Sequence, residues 1–180
     1  MQWSDLLQAL PELRGAPIRV RDRAQLRVHK GKLLWGCTER GIAVHAASFL
    51  REREIVLQSD LLCRPNLFWF ILVHELFHFA WPKLGNQRRA EFSALIQREQ
   101  AARAKGELGD SATLKKERLR QRDSRENSRA WRDYLCESFC DTAAWLYSGR
   151  RRGSAVTLAK RWRHRRAQWF KTAFETGCSS

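Results

Sequence analysis

The amino-acid sequence predicts one α+β domain, in which a small N-terminal antiparallel sheet precedes a mainly helical bundle. Short apolar runs separated by glycines occupy residues 17–58, and longer stretches with helical spacing follow them. The chain has 180 residues and is 43% hydrophobic, which is enough for one buried core and leaves little room for a second domain. We therefore treat residues 1–180 as a single domain.

The N-terminal region predicts one helix and four strands. A helix over residues 3–13, with Ser4 or Asp5 as its cap, ends at the Gly-Ala-Pro segment that follows. Four apolar or alternating runs predict strands over residues 17–20, 33–35, 41–45 and 54–57. Glycines at 31, 36 and 41 separate these runs, which favours a small antiparallel sheet.

The remainder of the chain predicts helices. Pro65 suits the first turn of a helix that runs to Trp81, and further helices are expected over residues 87–104 and 129–148. The segment 105–129 is charged and poor in large apolar side chains, which predicts a solvated helix or a mobile insertion. Residues 150–174 form a basic C-terminal segment without an acidic residue.

Charge and cysteine content restrict the partners and the compartment. The formal net charge of +15 favours anionic partners such as nucleic acid. Five cysteines, an odd number, and an N-terminus without a secretory leader argue against a disulfide-stabilised secreted protein. The longest apolar run, residues 67–81, is shorter than the ~20 residues of a membrane span. We therefore expect a cytoplasmic protein with reduced thiols and no membrane partner.

The segment from His74 to His78, His-Glu-Leu-Phe-His, is an HExxH motif inside the most apolar predicted helix. Residues four apart share a helix face, so both imidazoles can bind one zinc ion from the same side. Glu75 can take a proton from a zinc-activated water as that water attacks a carbonyl, which is the task of a general base. The alternative is a chance match whose histidines are satisfied by hydrogen bonds in the core.

A third ligand is expected on a second helix, because the six residues after His78 contain no histidine. Glu137 begins the stretch Glu-Ser-Phe-Cys-Asp, and Asp141 lies on the same helix face. Glu137 can ligate zinc, while Asp141 accepts a hydrogen bond from a ligand histidine and fixes its orientation. Glu91 and Glu99 are competing ligands, and an ordinary pair of surface carboxylates is the alternative interpretation.

The HExxH motif, taken with the stretch from Glu137 to Asp141, resembles the gluzincin metallopeptidases. The preceding small sheet and the short chain are most similar to the minimal gluzincins and the ImmA/IrrE-like intracellular peptidases. The resemblance implies a zincin-like fold, a Zn²⁺ cofactor and a hydrolase that cleaves peptide bonds in a peptide or protein substrate. The chain departs from many members in its 59-residue spacing between His78 and Glu137, and the segment 105–129 accounts for the excess.

Peptide hydrolysis also needs a donor that stabilises the oxyanion of the tetrahedral intermediate. Tyr134, one turn before Glu137, and His164, in the basic segment, are the candidates. Tyr134 can equally be a core residue, and His164 can be one more cation of an arginine cluster. Cys136 and Cys140 suggest a second soft metal site, but without a CxxC pair buried inert thiols are the favoured interpretation.

The main alternative is a nucleic-acid-associated protein in which zinc is structural or regulatory. The basic segment would then dock on phosphates through Arg161, Arg163, Arg165 and Arg166, and Trp162 would stack on bases. No DNA- or RNA-binding motif is present, however. The two functions can be combined in a peptidase that is recruited to DNA-bound substrates. A zincin-like protein without activity is a third interpretation, against which the retained Glu75 argues.

Overall fold

The structure, a computed structural model, describes residues 3–13, 15–37, 39–149 and 155–175 and is α+β, as predicted. The strands are β1 (Arg19–Arg23), β2 (Arg27–His29), β3 (Lys32–Leu34), β4 (Ile42–Ala43), β5 (Ala46–Phe49) and β6 (Glu54–Gln58). The helices are α1 (Trp3–Ala9), α2 (Pro65–Ala80), α3 (Gly85–Ala101), α4 (Asp110–Lys116), α5 (Arg129–Tyr147) and α6 (Lys160–Glu175).

The strands form two three-stranded sheets, so the prediction of one antiparallel sheet is only partly confirmed. In the first sheet, β6 lies between β1 and β5 and is parallel to β1 but antiparallel to β5. The second sheet, in the order β3-β2-β4, is antiparallel throughout. Parallel strands need a long crossover connection, and the second sheet forms part of the connection between β1 and β6.

Proline and glycine explain several element boundaries. Helix α1 ends at Ala9, earlier than predicted, because Pro11 disfavours a helical conformation in the residue before it. Gly31, Gly36 and Gly41 have φ angles of 75°, 87° and 86°, a region that other residues rarely adopt. The three glycines therefore act as turns, as predicted from their positions.

Helix α2 carries the HExxH motif and lies in the core, as its apolar sequence predicts. Pro65 occupies its first turn, and a 3-10 turn over Trp81–Leu84 leads from its end into α3. The helix packs against α5 and against strands β5 and β6. Four fully buried rings join α2, α3, α5 and α6 in one core: Phe77, Phe92, Phe139 and Phe170.

The charged segment 105–129 is solvated only in part, so the prediction made from its composition holds for one part of it and not for the other. Glu107, Leu108 and Ala112 are fully buried, and α4 packs against α5. Leu108 also packs against Leu158 and Trp162. The first part of the segment is buried because the Glu107 carboxylate pairs with Lys116 and Arg166, whereas most residues after α4 are exposed, as predicted.

Helix α6 presents one face to the core. Trp162, Arg166 and Phe170 are buried at four-residue spacing, whereas Arg161 and Arg165 are exposed. This corrects the prediction that Trp162 stacks on bases and that Arg166 contacts phosphates. Residues 150–154 of the predicted basic segment lie outside the described residues. No described helix is both long and apolar enough to cross a membrane.

Candidate metal site

Two histidines of α2 face a glutamate of α5. The Nε2 atom of His74 lies 3.2 Å from Oε2 of Glu137, and the Nε2 atom of His78 lies 3.9 Å from the same oxygen. The two Nε2 atoms are 3.2 Å apart. These atoms meet because α2 and α5 pack together and the histidines are one helical turn apart. The structure therefore brings together the three residues predicted as metal ligands.

Asp141 holds the ring of His74 from the opposite side. Its Oδ1 lies 2.8 Å from Nδ1 of His74, and its Oδ2 accepts a hydrogen bond of 2.8 Å from the backbone N–H of Ala112. A carboxylate in this position keeps a proton on Nδ1 and leaves the Nε2 lone pair free. The predicted contact of Asp141 with a ligand histidine is present.

A thiol contacts the ring of His78. Its Nδ1 lies 3.5 Å from Sγ of Cys136. The pKa of the Cys136 thiol is lowered to about 6. Hydrogen bonds with Cys140 and His78 lower it, and burial opposes them. Cys140 is fully buried, as the favoured interpretation expects, and burial raises the pKa of its thiol well above the ordinary value, whereas Cys136 is only half-buried. The reactivity of either thiol stays a prediction.

The ionisable groups of the site favour positive charge between the two rings. Burial by itself would lower the pKa of His74, but the hydrogen bond and charge of Asp141, with Glu137, raise it well above 6.5. Burial by itself would raise the pKa of Glu137, but the hydrogen bond with His74 and the charges of His78 and His74 lower it below 4.5. Glu137 is therefore an anion at neutral pH, and either a proton or a metal ion can occupy the gap that it faces.

The donor atoms fit a metal ion. Bonds of ~2.0–2.2 Å to tetrahedral zinc place ligand atoms roughly 3.3 Å apart. The two Nε2 atoms are 3.2 Å apart, as are Nε2 of His74 and the Glu137 oxygen, while Nε2 of His78 lies 3.9 Å from that oxygen, so two of the three pairs match this separation. His74, His78 and Cys140 form a second grouping, with ligand atoms within 4.8 Å of one another. Glu137 is the better third ligand on geometry, because its Oε2 atom lies 3.2 and 3.9 Å from the two Nε2 atoms and the residue lines the cleft.

An open cleft of about 320 Å³ adjoins these donor atoms. Its lining comprises Ala46, Ala47, Ser48, Leu50, His74, Glu75, His78, Ser111 and Glu137. The Glu75 Oε2 atom accepts a hydrogen bond of 2.5 Å from Ser48 Oγ, and this hydroxyl also lies 3.1 Å from the carbonyl oxygen of Glu75. Strand β5 therefore holds the predicted general base at the cleft. Other clefts among the described residues, of about 330, 580 and 640 Å³, are lined by none of these residues.

The two residues predicted as oxyanion donors are not at the cleft. The buried hydroxyl of Tyr134 donates a hydrogen bond of 2.5 Å to Oε1 of Glu107. His164 is exposed on α6 and is not part of the lining. Both predictions are therefore corrected. Tyr134 is near Glu137 in sequence but does not lie on the face of α5 that meets α2.

The competing ligands Glu91 and Glu99 also lie elsewhere. Glu91 accepts a hydrogen bond of 3.2 Å from Gln87 on the same helix. Glu99 is buried and forms an ion pair of 2.6 Å with Arg166. The structure therefore favours Glu137 over both as the third ligand.

Two groups at the site were missed by sequence reasoning, the Ser48 hydroxyl and the Ala112 N–H, and the contact of the Cys136 thiol with His78 was not predicted. Ser48 belongs to β5, whose Ala-Ala-Ser-Phe sequence does not alternate and did not predict a strand. Ala112 acts through its backbone, which residue type does not reveal. The position of Cys136, next to Glu137, was the available signal, but its contact with His78 depends on how α5 is turned against α2.

Comparison of the chain with protein-family models, with curated proteins and with solved structures finds no match. The function is therefore argued from the chemistry and geometry of the site.

Proposed function

We propose that this chain is a zinc-dependent metallopeptidase with a zincin-like fold and a gluzincin-type site. His74, His78 and Glu137 hold the ion, and Glu75 acts as the general base. The observation that carries the proposal is the convergence of both Nε2 atoms and the Glu137 oxygen, at 3.2 and 3.9 Å, beside a cleft that Glu75 also lines.

A bound zinc ion supplies Lewis acidity, which lowers the pKa of water towards ~7. The chain supplies the remaining groups. Glu75 accepts a proton at the cleft, and the hydrogen bond from Ser48 orients its carboxylate. Asp141 keeps the ring of His74 turned so that Nε2 faces the cleft.

The cleft wall supports an extended peptide as the substrate. Strand β5 lies at one edge of the first sheet, in the order β1-β6-β5, and contributes Ala46, Ala47 and Ser48 to the lining. The edge of a sheet can pair with the backbone of an extended peptide, and such pairing is largely independent of side chains. The small residues of β5 leave space for the substrate backbone beside Glu75.

The alternative of a nucleic-acid-associated protein receives less support. The Trp162 ring is buried, and Arg161 and Arg165 lie over it, with guanidinium carbons 5.2 and 4.6 Å from its centroid. Arg166 is held in buried ion pairs. A purely structural zinc would have no use for Glu75 at the cleft. The cytoplasmic location stays a prediction.

The test combines metal analysis with one conservative substitution. We expect about one zinc per chain after reconstitution. Glu75→Gln retains shape but cannot accept the proton, so it should keep zinc and lose hydrolysis of an unstructured protein such as casein, by at least ~100-fold. Glu91→Gln is the matched control, because Glu91 lies on α3 and does not line the cleft.

Two results would overturn the proposal. The first is a reconstituted wild-type protein that binds no zinc. The second is a Glu75→Gln variant that hydrolyses as fast as the wild type, since cleavage would then depend on another base or another protein.

A further inference from the structure

We infer that Gly109 and Ala112 are positioning residues that set the orientation of His74 through the carboxylate of Asp141. The inference deepens the proposed function, and its use in metal binding rests on that proposal. The contact of the two residues with Asp141 is independent of the proposed function, because it involves only atoms of the protein chain.

Both oxygens of Asp141 are engaged inside the protein. Oδ1 meets Nδ1 of His74 and Oδ2 meets the N–H of Ala112, each at 2.8 Å, and the residue is only 1% exposed. A carboxylate held at both oxygens cannot rotate without losing one hydrogen bond. The N–H of Ala112 is free for this contact because it lies in the first turn of α4, where N–H groups have no partner within the helix.

Gly109 lets the backbone approach this carboxylate. A Cβ atom added at Gly109 would lie 2.5 Å from both oxygens of Asp141, far inside ordinary contact distance. The backbone of Gly109, with φ −165° and ψ 172°, is extended and open to any residue. Glycine is therefore required here for space next to Asp141 and not for backbone conformation.

The turn that carries Gly109 is anchored on its other side. The carbonyl oxygen of Glu107 accepts hydrogen bonds of 2.8 and 3.0 Å from the N–H groups of Thr157 and Leu158. Its buried side chain contacts Arg166 at 2.8 Å and the hydroxyl of Tyr134 at 2.5 Å. The anchored turn cannot retreat from Asp141, so an added Cβ must displace the carboxylate.

The test is a double-mutant cycle with Gly109→Ala and Asp141→Ala. Zinc affinity is measured by competition with a chromophoric chelator. Gly109→Ala should weaken it by about 10–100-fold, the cost of losing a partner that orients a ligand histidine. In the Asp141→Ala background the same change should cost nothing further, because the added methyl group then has space. Leu114→Ala, on the exposed face of α4, is the control and should leave the affinity unchanged.

A second measurement uses no metal. In the metal-free protein labelled with ¹⁵N-histidine, the Nδ1 proton of His74 reports its hydrogen bond with Asp141. Gly109→Ala should shift or broaden this resonance, whereas Leu114→Ala should not. If wild-type protein binds no zinc, the proposed function fails, and this resonance still decides the positioning role.

Two results would overturn the inference: an unchanged His74 resonance in Gly109→Ala, or an equal loss of zinc affinity in both backgrounds. If Gly109→Ala alone does not fold, the second substitution, Asp141→Ala, should restore folding, because the added methyl group then has space. A double variant that stays unfolded contradicts the role assigned to Gly109.

Discussion

Helix α5 contributes to two buried clusters of ionisable groups that differ in how their charges are balanced. In the first, Arg166 contacts Glu99 at 2.6 and 2.9 Å and Glu107 at 2.8 Å, and Tyr134 of α5 donates to Glu107. Lys116 also contacts Glu107, at 3.0 Å. Every charge in this cluster has an opposite charge from the protein itself.

In the second cluster, Glu137 and Asp141 of α5 meet His74 and His78 of α2. Within the described part of the chain, the ion pairs of both carboxylates are with histidines, whose charge depends on a proton. The Arg166 cluster is therefore balanced by permanent charges as folded, whereas the histidine cluster is balanced only when its rings bind a proton or a cation.

The largest expected effect is on stability, from removal of Arg166. Arg166→Leu leaves Glu99 and Glu107 buried without their cation, which should cost about 3–5 kcal/mol of unfolding free energy. Urea unfolding at pH 7 measures this. Arg165→Leu, exposed on the same helix, should change stability by less than about 1 kcal/mol. A similar small effect for Arg166→Leu would show that the cluster does not support the fold.

Removal of Glu137 should affect zinc binding more than stability, which would distinguish the histidine cluster from the Arg166 cluster. Glu137→Ala should reduce zinc affinity by more than about 100-fold, because it deletes the proposed third ligand and not only an orienting partner. The stability of the metal-free protein should change far less than in Arg166→Leu. If the metal-free variant is as unstable as Arg166→Leu, the histidine cluster is complete without a metal and the comparison fails.

Asp141→Asn should reduce the affinity for zinc by about 10–100-fold without eliminating binding. The carboxylate of Asp141 accepts hydrogen bonds from both His74 and Ala112, whereas the amide has one oxygen and can satisfy only one of these donors. Isothermal titration of zinc measures the loss. Wild-type affinity in Asp141→Asn would show that the orientation of His74 does not depend on this carboxylate.

The Arg166 cluster also predicts a pH dependence of stability. Burial would raise the pKa of Glu107, but the charges of Arg166 and Lys116 lower it below its ordinary value of 4.5. A lowered pKa stabilises the fold at pH above 4.5, and this contribution is lost as pH falls through the folded-state value. Glu107→Gln should therefore be less stable than wild type at pH 7, by about 1 kcal/mol or more. The difference in unfolding free energy between wild type and Glu107→Gln should shrink in acid. A difference that is constant with pH would contradict the predicted role of the Glu107 charge.

The smallest expected effect on the fold comes from the exposed arginines of α6. Arg161→Glu with Arg165→Glu should alter stability by only about 1 kcal/mol and leave zinc affinity unchanged, since both side chains lie outside the core. Binding to any DNA duplex, measured at low salt, should fall with this change if the helix contacts phosphates. Unchanged binding would remove these two arginines from the alternative function.

Local sequence patterns predicted the helices well and the sheets poorly. Helices α2, α3 and α5 occur close to their predicted ranges, because caps, prolines and apolar spacing act within a few residues. Strand β5 lacked alternation, and the parallel pairing of β1 with β6 joins residues more than thirty positions apart. Neither is encoded locally, although both determine where Ser48 meets Glu75.

The chemistry that each helix can offer follows from residue types and their spacing along the chain. Residues four apart share a helix face, so His74 and His78 form one pair of potential ligands, and Glu137 and Asp141 form another. Only the tertiary structure decided that these pairs meet, that Gly109 and Ala112 support Asp141, and that Arg166 is buried. The physical reason is that helix geometry is set by local hydrogen bonds, whereas the distance between helices depends on the packing of the whole core.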